Sequence, residues 1–334
     1  MTGRLVDEYD LVILDLDGVV YLIDHPIPSA VSVINRLRTE GRALTYVTNN
    51  ASRRSSEVAD MLGGMGIAAA AHEVLTSAAA AAQVLAERFP AGSPVLTVGA
   101  AALREEVRAV GLRPVAGADE APVAVVQGYG PQVGWAQFAE ACVAVRAGAL
   151  WVATNVDRTL PSPRGPLPGN GALVAALAAA LDREPDLVVG KPEPGLFAAA
   201  ARRAKAHRPL VVGDRLDTDI EGAARVGMDS LLVLTGVTRP RDLLCAPVGR
   251  QPTYVAADLN GLTQPAAAVR VAAGRSGWRV ATDDGRLRLT GAGEVLDALR
   301  TLCHVAWTTR AIGEVRAGSV PAADALRELG LAPG

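Results

Sequence analysis

Leu11-Val12-Ile13-Leu14-Asp15-Leu16-Asp17-Gly18 is the stretch on which the reading of this chain turns. Its first four residues form a continuous apolar run, the pattern of a strand buried on both faces of a parallel sheet. The run ends abruptly in two acids and a glycine. Strand alternation brings the carboxylates of Asp15 and Asp17 to one side, and Gly18 permits a sharp turn after them. Two neighbouring carboxylates can divide labour, one as nucleophile, the other giving and taking a proton. By itself the string reads equally well as a solvated strand end. A calcium loop of the EF-hand kind lacks its later ligands here.

Outward from this strand, the spacing predicts a helix over 29–40 stopped by Gly41. A strand over 43–47 follows, ending at Thr48-Asn49-Asn50, and then a helix over 55–65. From residue 82 to 184 the pattern restarts, with strands at 95–98, 123–127 and 150–153, helices at 101–110 and 135–147, and a polar loop over 155–171. The first pattern then resumes. A strand at 187–189 leads to Gly190-Lys191-Pro192, a helix covers 194–206, a strand at 210–212 leads to Gly213-Asp214-Arg215, and one at 231–234 leads to Thr235-Gly236. Strands alternating with helices predict an α/β fold with a parallel sheet. Ligands of such sheets bind outside the carboxyl ends of the strands, where every candidate chemical group falls. The expected division is a core of residues 1–81 and 185–264, an inserted α/β domain at 82–184, and a small α+β module at 265–334. In that module a hairpin turns at Asp283-Asp284-Gly285 between strands at 278–282 and 286–290, followed by a helix over 294–307.

Composition narrows the function class. A chain of 334 residues predicts two or three domains. Its formal charge of −2 supplies no basic field for nucleic acid. No apolar run is long enough to span a bilayer. Acids stand at the N-terminus where a secretory signal carries a basic and then an apolar stretch, so a cytoplasmic protein is expected. Three scattered cysteines fit reduced thiols rather than a disulfide framework, and the histidines show no metal-ligand spacing. Of 33 lysines and arginines only Lys191 and Lys205 are lysine. A lysine kept amid so much arginine suits a place where a compact point charge is needed.

Several groups carry candidate chemistry. Asp214, Asp217 and Asp219 follow a buried strand, and their oxygens suit a hard cation such as magnesium; the same acids suit a helix start. Lys191 suits phosphate or a surface loop. Thr48, Asn49 and Asn50 offer donors that can cradle phosphate oxygens and are also ordinary turn residues.

The order of these strings resembles the haloacid dehalogenase superfamily, whose four motifs match Asp15-Leu16-Asp17-Gly18-Val19, Thr48-Asn49-Asn50, Gly190-Lys191-Pro192 and Gly213-Asp214-Arg215-Leu216-Asp217-Thr218-Asp219-Ile220. It is similar in particular to the phosphatases of the NagD and pyridoxal phosphate phosphatase type, which carry an α/β cap between the second motif and the lysine. The resemblance implies a Rossmann-like core and a role for each match. Asp15 is the nucleophile and Asp17 the general acid and base. Thr48 and Lys191 hold phosphoryl oxygens, with Gly18, Asn49 and Asn50 beside them. Mg2+ rests on Asp15, the Asp17 backbone carbonyl and Asp214, while Asp219 steadies its waters. Substrate choice falls to the cap, where Asn155, Asp157 and Asn170 either meet substrate hydroxyls or serve as turn residues. The absence of an aromatic cluster there favours a small polyol phosphate. The whole chain looks like actinobacterial glycerol 3-phosphate phosphatases, which implies that substrate ahead of pyridoxal phosphate, a nucleotide monophosphate or 2-phosphoglycolate. The expected partners are a small phosphorylated metabolite and a second copy of the chain in a homo-oligomer, with no nucleic acid and no membrane. A non-catalytic phosphate-ligand sensor is the rival class; a phosphomutase is disfavoured by the cap position. In the tail, Arg288-Leu289-Thr290-Gly291-Ala292-Gly293 reads first as a plain strand-turn-helix, and it echoes the pyrophosphate loop of GCN5-type acetyltransferases.

Overall fold

The structure, a computed structural model, describes residues 3–272, 277–311 and 314–332. The chain forms two compact units, one of Met1–Leu22, Pro26–Ala43 and Ala206–Gly334, the other of Ile23–His25 and Leu44–Lys205.

In the first unit the apolar runs become parallel strands, in the order Tyr254–Ala256, Asp229–Val233, Pro209–Gly213, Leu11–Asp15. Every residue of Leu11–Asp15 is buried, as a strand covered on both faces requires. The predicted helix at 29–40 is observed as Pro28–Thr39, with Gly41 at φ +72° ending it. Asp10 fixes where the first strand begins. Its carboxylate accepts the backbone N–H groups of His207 (2.7 Å) and Arg208 (2.9 Å), tying that strand to its neighbour.

The C-terminal residues are built into this unit. Trp278–Asp283 pairs antiparallel with Arg286–Gly291, and Val315–Ala317 adds in parallel. The hairpin turns at Asp284 (φ +46°) and Gly285 (φ +72°), the two positive-φ positions of a type I′ turn. Trp278, Leu287, Leu289, Leu299 and Leu302 share one buried cluster with Ile220, Leu232, Leu243 and Val255 of the parallel sheet and its loops. The sequence presents residues 265–334 as an appended module; its described strands and helices pack into this shared cluster. Tyr254–Ala256 is the outermost strand of this sheet, and the buried Arg300 guanidinium donates to the Val255 carbonyl through Nε (2.9 Å) and Nη2 (2.7 Å). It thereby covers an edge that would otherwise present unpaired backbone groups.

The second unit holds the parallel pair Leu44–Thr48 and Val74–Thr76. It also holds a five-stranded parallel sheet in the order Leu187–Val188, Leu150–Ala153, Ala124–Gln127, Pro94–Val98, Arg113–Val115. Beside the inserted stretch 82–184, this unit takes in residues 44–81 and 185–205. A polar network around Asn49, described below, is one tie that joins these segments. Several elements had no counterpart in the sequence reading, among them the strands Val74–Thr76, Arg113–Val115, Tyr254–Ala256 and Val315–Ala317 and the helix Val320–Glu328. Ser77–Ala86 and Asn170–Leu181 are alanine-rich helices without a clear apolar stripe; the second starts inside the stretch read as loop. The π-helical turn Leu216–Ile220 carries the acids after Gly213. No helix among the described residues is long and apolar enough to cross a membrane.

Two measurements test these ties. Arg300→Met keeps much of the volume but strands the Val255 carbonyl, a loss of about 1–3 kcal/mol expected in a denaturant titration. Burial alone would raise the Asp10 pKa, but the two backbone N–H bonds outweigh it and hold the carboxyl below its ordinary value. A depressed carboxylate stabilises the fold above its unfolded pKa and ceases to do so as pH falls through the folded one. Asp10→Asn should therefore lower the melting temperature at pH 7, and the gap to the natural chain should close below about pH 4.

Candidate active site

The carboxyl ends of two adjacent strands of the first unit position a group of acids. Leu14 pairs with Val212, so Asp15 stands level with Gly213, one residue before Asp214. Asp15, Asp214 and Asp219 are buried, and one carboxylate oxygen from each lies within 4.8 Å of the others. The π-helical turn, a geometry common at functional sites, returns Asp219 beneath the strand end. There its Oδ2 accepts the Arg215 N–H (3.1 Å).

The backbone closes tightly on these acids. A Cβ at Gly213 would lie 2.1 Å from the Asp219 Cβ. One at Gly18 would lie 2.5 Å from Asp214 Oδ2, and one at Gly236 would lie 1.9 Å from the same atom. Gly18 also takes φ +83°, a conformation that side chains resist. Asp214 Oδ2 accepts the Val237 N–H at 2.6 Å. Three hard oxygen donors gathered in a buried cluster fit a small divalent cation such as Mg2+.

Asp17 is partly exposed. The amide of Gly18 donates to the Tyr21 carbonyl (2.8 Å). Asp217 is not in the cluster. Its carboxylate pairs with Arg215 at 3.1 and 2.9 Å and is half exposed. Burial pushes its pKa up, and the Arg215 guanidinium more than reverses this, leaving the carboxyl below its ordinary range.

In the second unit, Thr48 and Lys191 are both buried. Thr48 Oγ1 accepts the Asn50 N–H (3.1 Å), and Asn50 Oδ1 accepts the N–H and hydroxyl of Ser52. Asn49 clamps the main chain of Lys191. Its Oδ1 accepts the Lys191 N–H (2.8 Å), while its Nδ2 donates to the Lys191 carbonyl (3.0 Å) and to Asp157 Oδ2 (3.0 Å). A Cβ at Gly190 would lie 2.6 Å from both Asn49 Oδ1 and the Thr154 carbonyl, so a glycine must precede the lysine. Asn155 Nδ2 donates to the Asn49 carbonyl and Asn170 Nδ2 to the Asn155 carbonyl, each at 2.7 Å. Asn155 Oδ1 accepts the Asp157 N–H at 3.2 Å.

The structure thus separates residues that the sequence grouped together. Asn49, Asn50, Asn155 and Asn170 use side-chain atoms to hold loops. Asn50 bonds two residues on, as a turn residue does, whereas Asn49, Asn155 and Asn170 tie backbone groups distant in sequence. The sequence reading missed Gly236 and Val237. They act through a missing side chain and a backbone N–H, and their one legible signal was a place after another strand end.

Comparison with known proteins places this geometry. The family model for haloacid dehalogenase-like hydrolases matches residues 12–113, and a related HAD-hydrolase-like model matches 188–262. A GCN5-related N-acetyltransferase like domain matches 275–331. In the Arg288–Gly293 loop of that stretch, the Gly291 N–H donates to Ser319 Oγ (3.2 Å) and the Ala292 N–H to the Gly277 carbonyl (3.0 Å), so both amides are engaged within the fold. The chain is 45% identical to D-glycerol 3-phosphate phosphatase of Mycobacterium tuberculosis, over 92% of this chain and 88% of that one. It is 38% identical to an acid sugar phosphatase of Staphylococcus saprophyticus, over 75% of this chain and 96% of the relative. A crystal structure of glycerol phosphate phosphatase from M. tuberculosis in complex with magnesium superposes with a TM-score of 0.95 at 43% identity, covering 99% of this chain and 100% of that one. A p-nitrophenyl phosphatase from Archaeoglobus fulgidus superposes at 0.71 with 31% identity, covering 78% and 99%.

Asn49→Asp tests the clamp. It removes the donor to the Lys191 carbonyl and sets a second carboxylate against Asp157. A destabilisation of about 3 kcal/mol is expected by thermal or denaturant melting, with Asn49→Ala costing less.

Proposed function

Because the chain belongs to the haloacid dehalogenase-like hydrolases, we propose that it is a magnesium-dependent phosphatase converting glycerol 3-phosphate to glycerol and phosphate. The observation that carries the chemistry is the buried cluster of Asp15, Asp214 and Asp219 at adjacent strand ends. The substrate rests on the relative of 45% identity that bears that activity.

Asp15 is the nucleophile. One of its carboxylate oxygens attacks phosphorus as the bond to the glycerol oxygen breaks, giving an aspartyl-phosphate. Asp17 gives its proton to the departing alkoxide. As a carboxylate it then takes a proton from water, whose oxygen attacks the same phosphorus and breaks the bond to Asp15. Phosphate leaves and both acids return to their starting states. Phosphoryl transfer depends on in-line positioning and neutralised charge, and Thr48 and Lys191 supply donors for the phosphoryl oxygens. Mg2+ held by Asp15, Asp214 and the Asp17 carbonyl would neutralise charge on the transferring group, with Asp219 steadying its waters. Asn49 and Asn50 serve this site by fixing the loops that bear Lys191 and Thr48. In the same way Asn155 and Asn170 hold the loop that presents Asp157. The setting is cytoplasmic, where such metabolites occur.

Phosphate release should be followed from glycerol 3-phosphate, pyridoxal phosphate, a nucleotide monophosphate and 2-phosphoglycolate, with magnesium and with chelator. Glycerol 3-phosphate should be turned over fastest, and only with magnesium. A different best substrate would replace the substrate assignment; no release from any would favour a phosphate-ligand sensor. Asp15→Asn should fold normally and lose at least about 10³-fold in turnover, in line with the loss of a nucleophile.

A further inference from the structure

We propose that Thr235 is a positioning residue for the metal site, holding the Asp15–Gly18 turn and the Asp214 carboxylate in register. The inference rests on the magnesium reading above and extends it to a residue outside the four motifs.

The loop after the strand Asp229–Val233 carries three contacts in consecutive residues. The Thr235 hydroxyl donates to the Gly18 carbonyl at 2.5 Å. Gly236 lies against Asp214, with no room for a Cβ. The Val237 N–H donates to Asp214 Oδ2 at 2.6 Å. The next residue adds a fourth contact, the Thr238 N–H reaching the Asp214 carbonyl at 3.2 Å. The loop is itself anchored, because the Leu234 N–H reaches the carbonyls of Ala256 and Ala257, both at 3.2 Å.

Gly18 is therefore fixed from both sides. Its N–H is held by the Tyr21 carbonyl (2.8 Å) and its C=O by Thr235. The N–H and C=O of a trans peptide point in opposite directions, so holding the Gly18 N–H aims the Asp17 carbonyl away from Tyr21. That carbonyl is the proposed main-chain ligand. Gly18 at φ +83° also lacks the restraint a side chain would give, and the Thr235 hydroxyl supplies a restraint from outside. Asp214 is gripped between Gly18 and Gly236, and the residue that holds Gly18 is the one preceding Gly236. Loss of the hydroxyl should loosen both ligand-bearing segments together.

The test uses the full chain with Thr235→Val, Thr235→Ala and Thr235→Ser. Mg2+ affinity is read by titration calorimetry without substrate, alongside turnover and KM for glycerol 3-phosphate at saturating magnesium. The Val and Ala variants should bind Mg2+ about 10–100-fold more weakly and need correspondingly more of it for half-maximal rate. Their KM for the phosphate ester at saturating metal should not change. Thr235→Ser, which keeps the hydroxyl, should restore the natural affinity. Unchanged Mg2+ affinity in folded Val and Ala variants would overturn the inference, as would a serine variant no better than alanine. A natural chain that binds Mg2+ but leaves glycerol 3-phosphate intact would remove the substrate assignment and leave this inference standing. A natural chain that does not bind Mg2+ would remove both.

Discussion

Repulsion among buried carboxylates is the constraint around which the first unit is arranged. One carboxylate oxygen from each of Asp15, Asp214 and Asp219 lies within 4.8 Å of the others, a spacing at which a pair of like unit charges repels by about 3 kcal/mol or more at an effective dielectric of about 20. A divalent ion suits three hard oxygens so placed. The surrounding backbone is built to hold the acids close despite their repulsion. Gly18, Gly213 and Gly236 bring main chain to distances where no Cβ fits, and the amides of Arg215 and Val237 each fix one carboxylate oxygen. Such preorganisation spares the site the reorganisation that a flexible set of ligands would undergo on binding metal.

Rigid acids need a rigid floor, and here the C-terminal residues matter. Ile220, at the end of the turn that carries Asp219, is buried in the same cluster as Trp278, Leu287, Leu299 and Leu302. Each of those large apolar side chains contributes about 1.5–3 kcal/mol on burial. Together they are comparable to the net stability of an ordinary domain, about 5–15 kcal/mol. Arg300 adds a polar counterpart by covering the carbonyl of the outermost strand. A buried guanidinium is tolerated there because its donors meet Val255 and Asp297 (2.8 Å).

The parts legible in the sequence were those in which one residue type has one use. The apolar run 11–14 could hardly be anything but a buried strand. Asp284-Gly285 between alternating residues specified the hairpin, and Asp15 and Asp214 stood at strand ends where ligands gather. Illegible parts fell into two kinds. Ser77–Ala86 and Asn170–Leu181 are helices whose alanines suit either face, so no stripe announces them. Asn49, Asn155 and Asn170 carry amides that can bond substrate or backbone equally well. Only the positions of the Lys191, Asn49 and Asn155 main-chain groups decide for backbone. The shared core of the C-terminal residues was hidden for a related reason. Burial pattern shows that a face is covered but does not name the partner that covers it.

The asparagine network also bears on where selectivity can arise. An amide whose donor already serves a buried carbonyl cannot turn to a ligand without stranding that carbonyl, a loss of about 1–3 kcal/mol. Ligand contacts by the side-chain N–H groups of Asn49, Asn155 or Asn170 would have to exceed that loss before yielding any net affinity. Their hydrogen bonds show instead that Asn49 and Asn155 fix the main chain at Lys191 and Asp157.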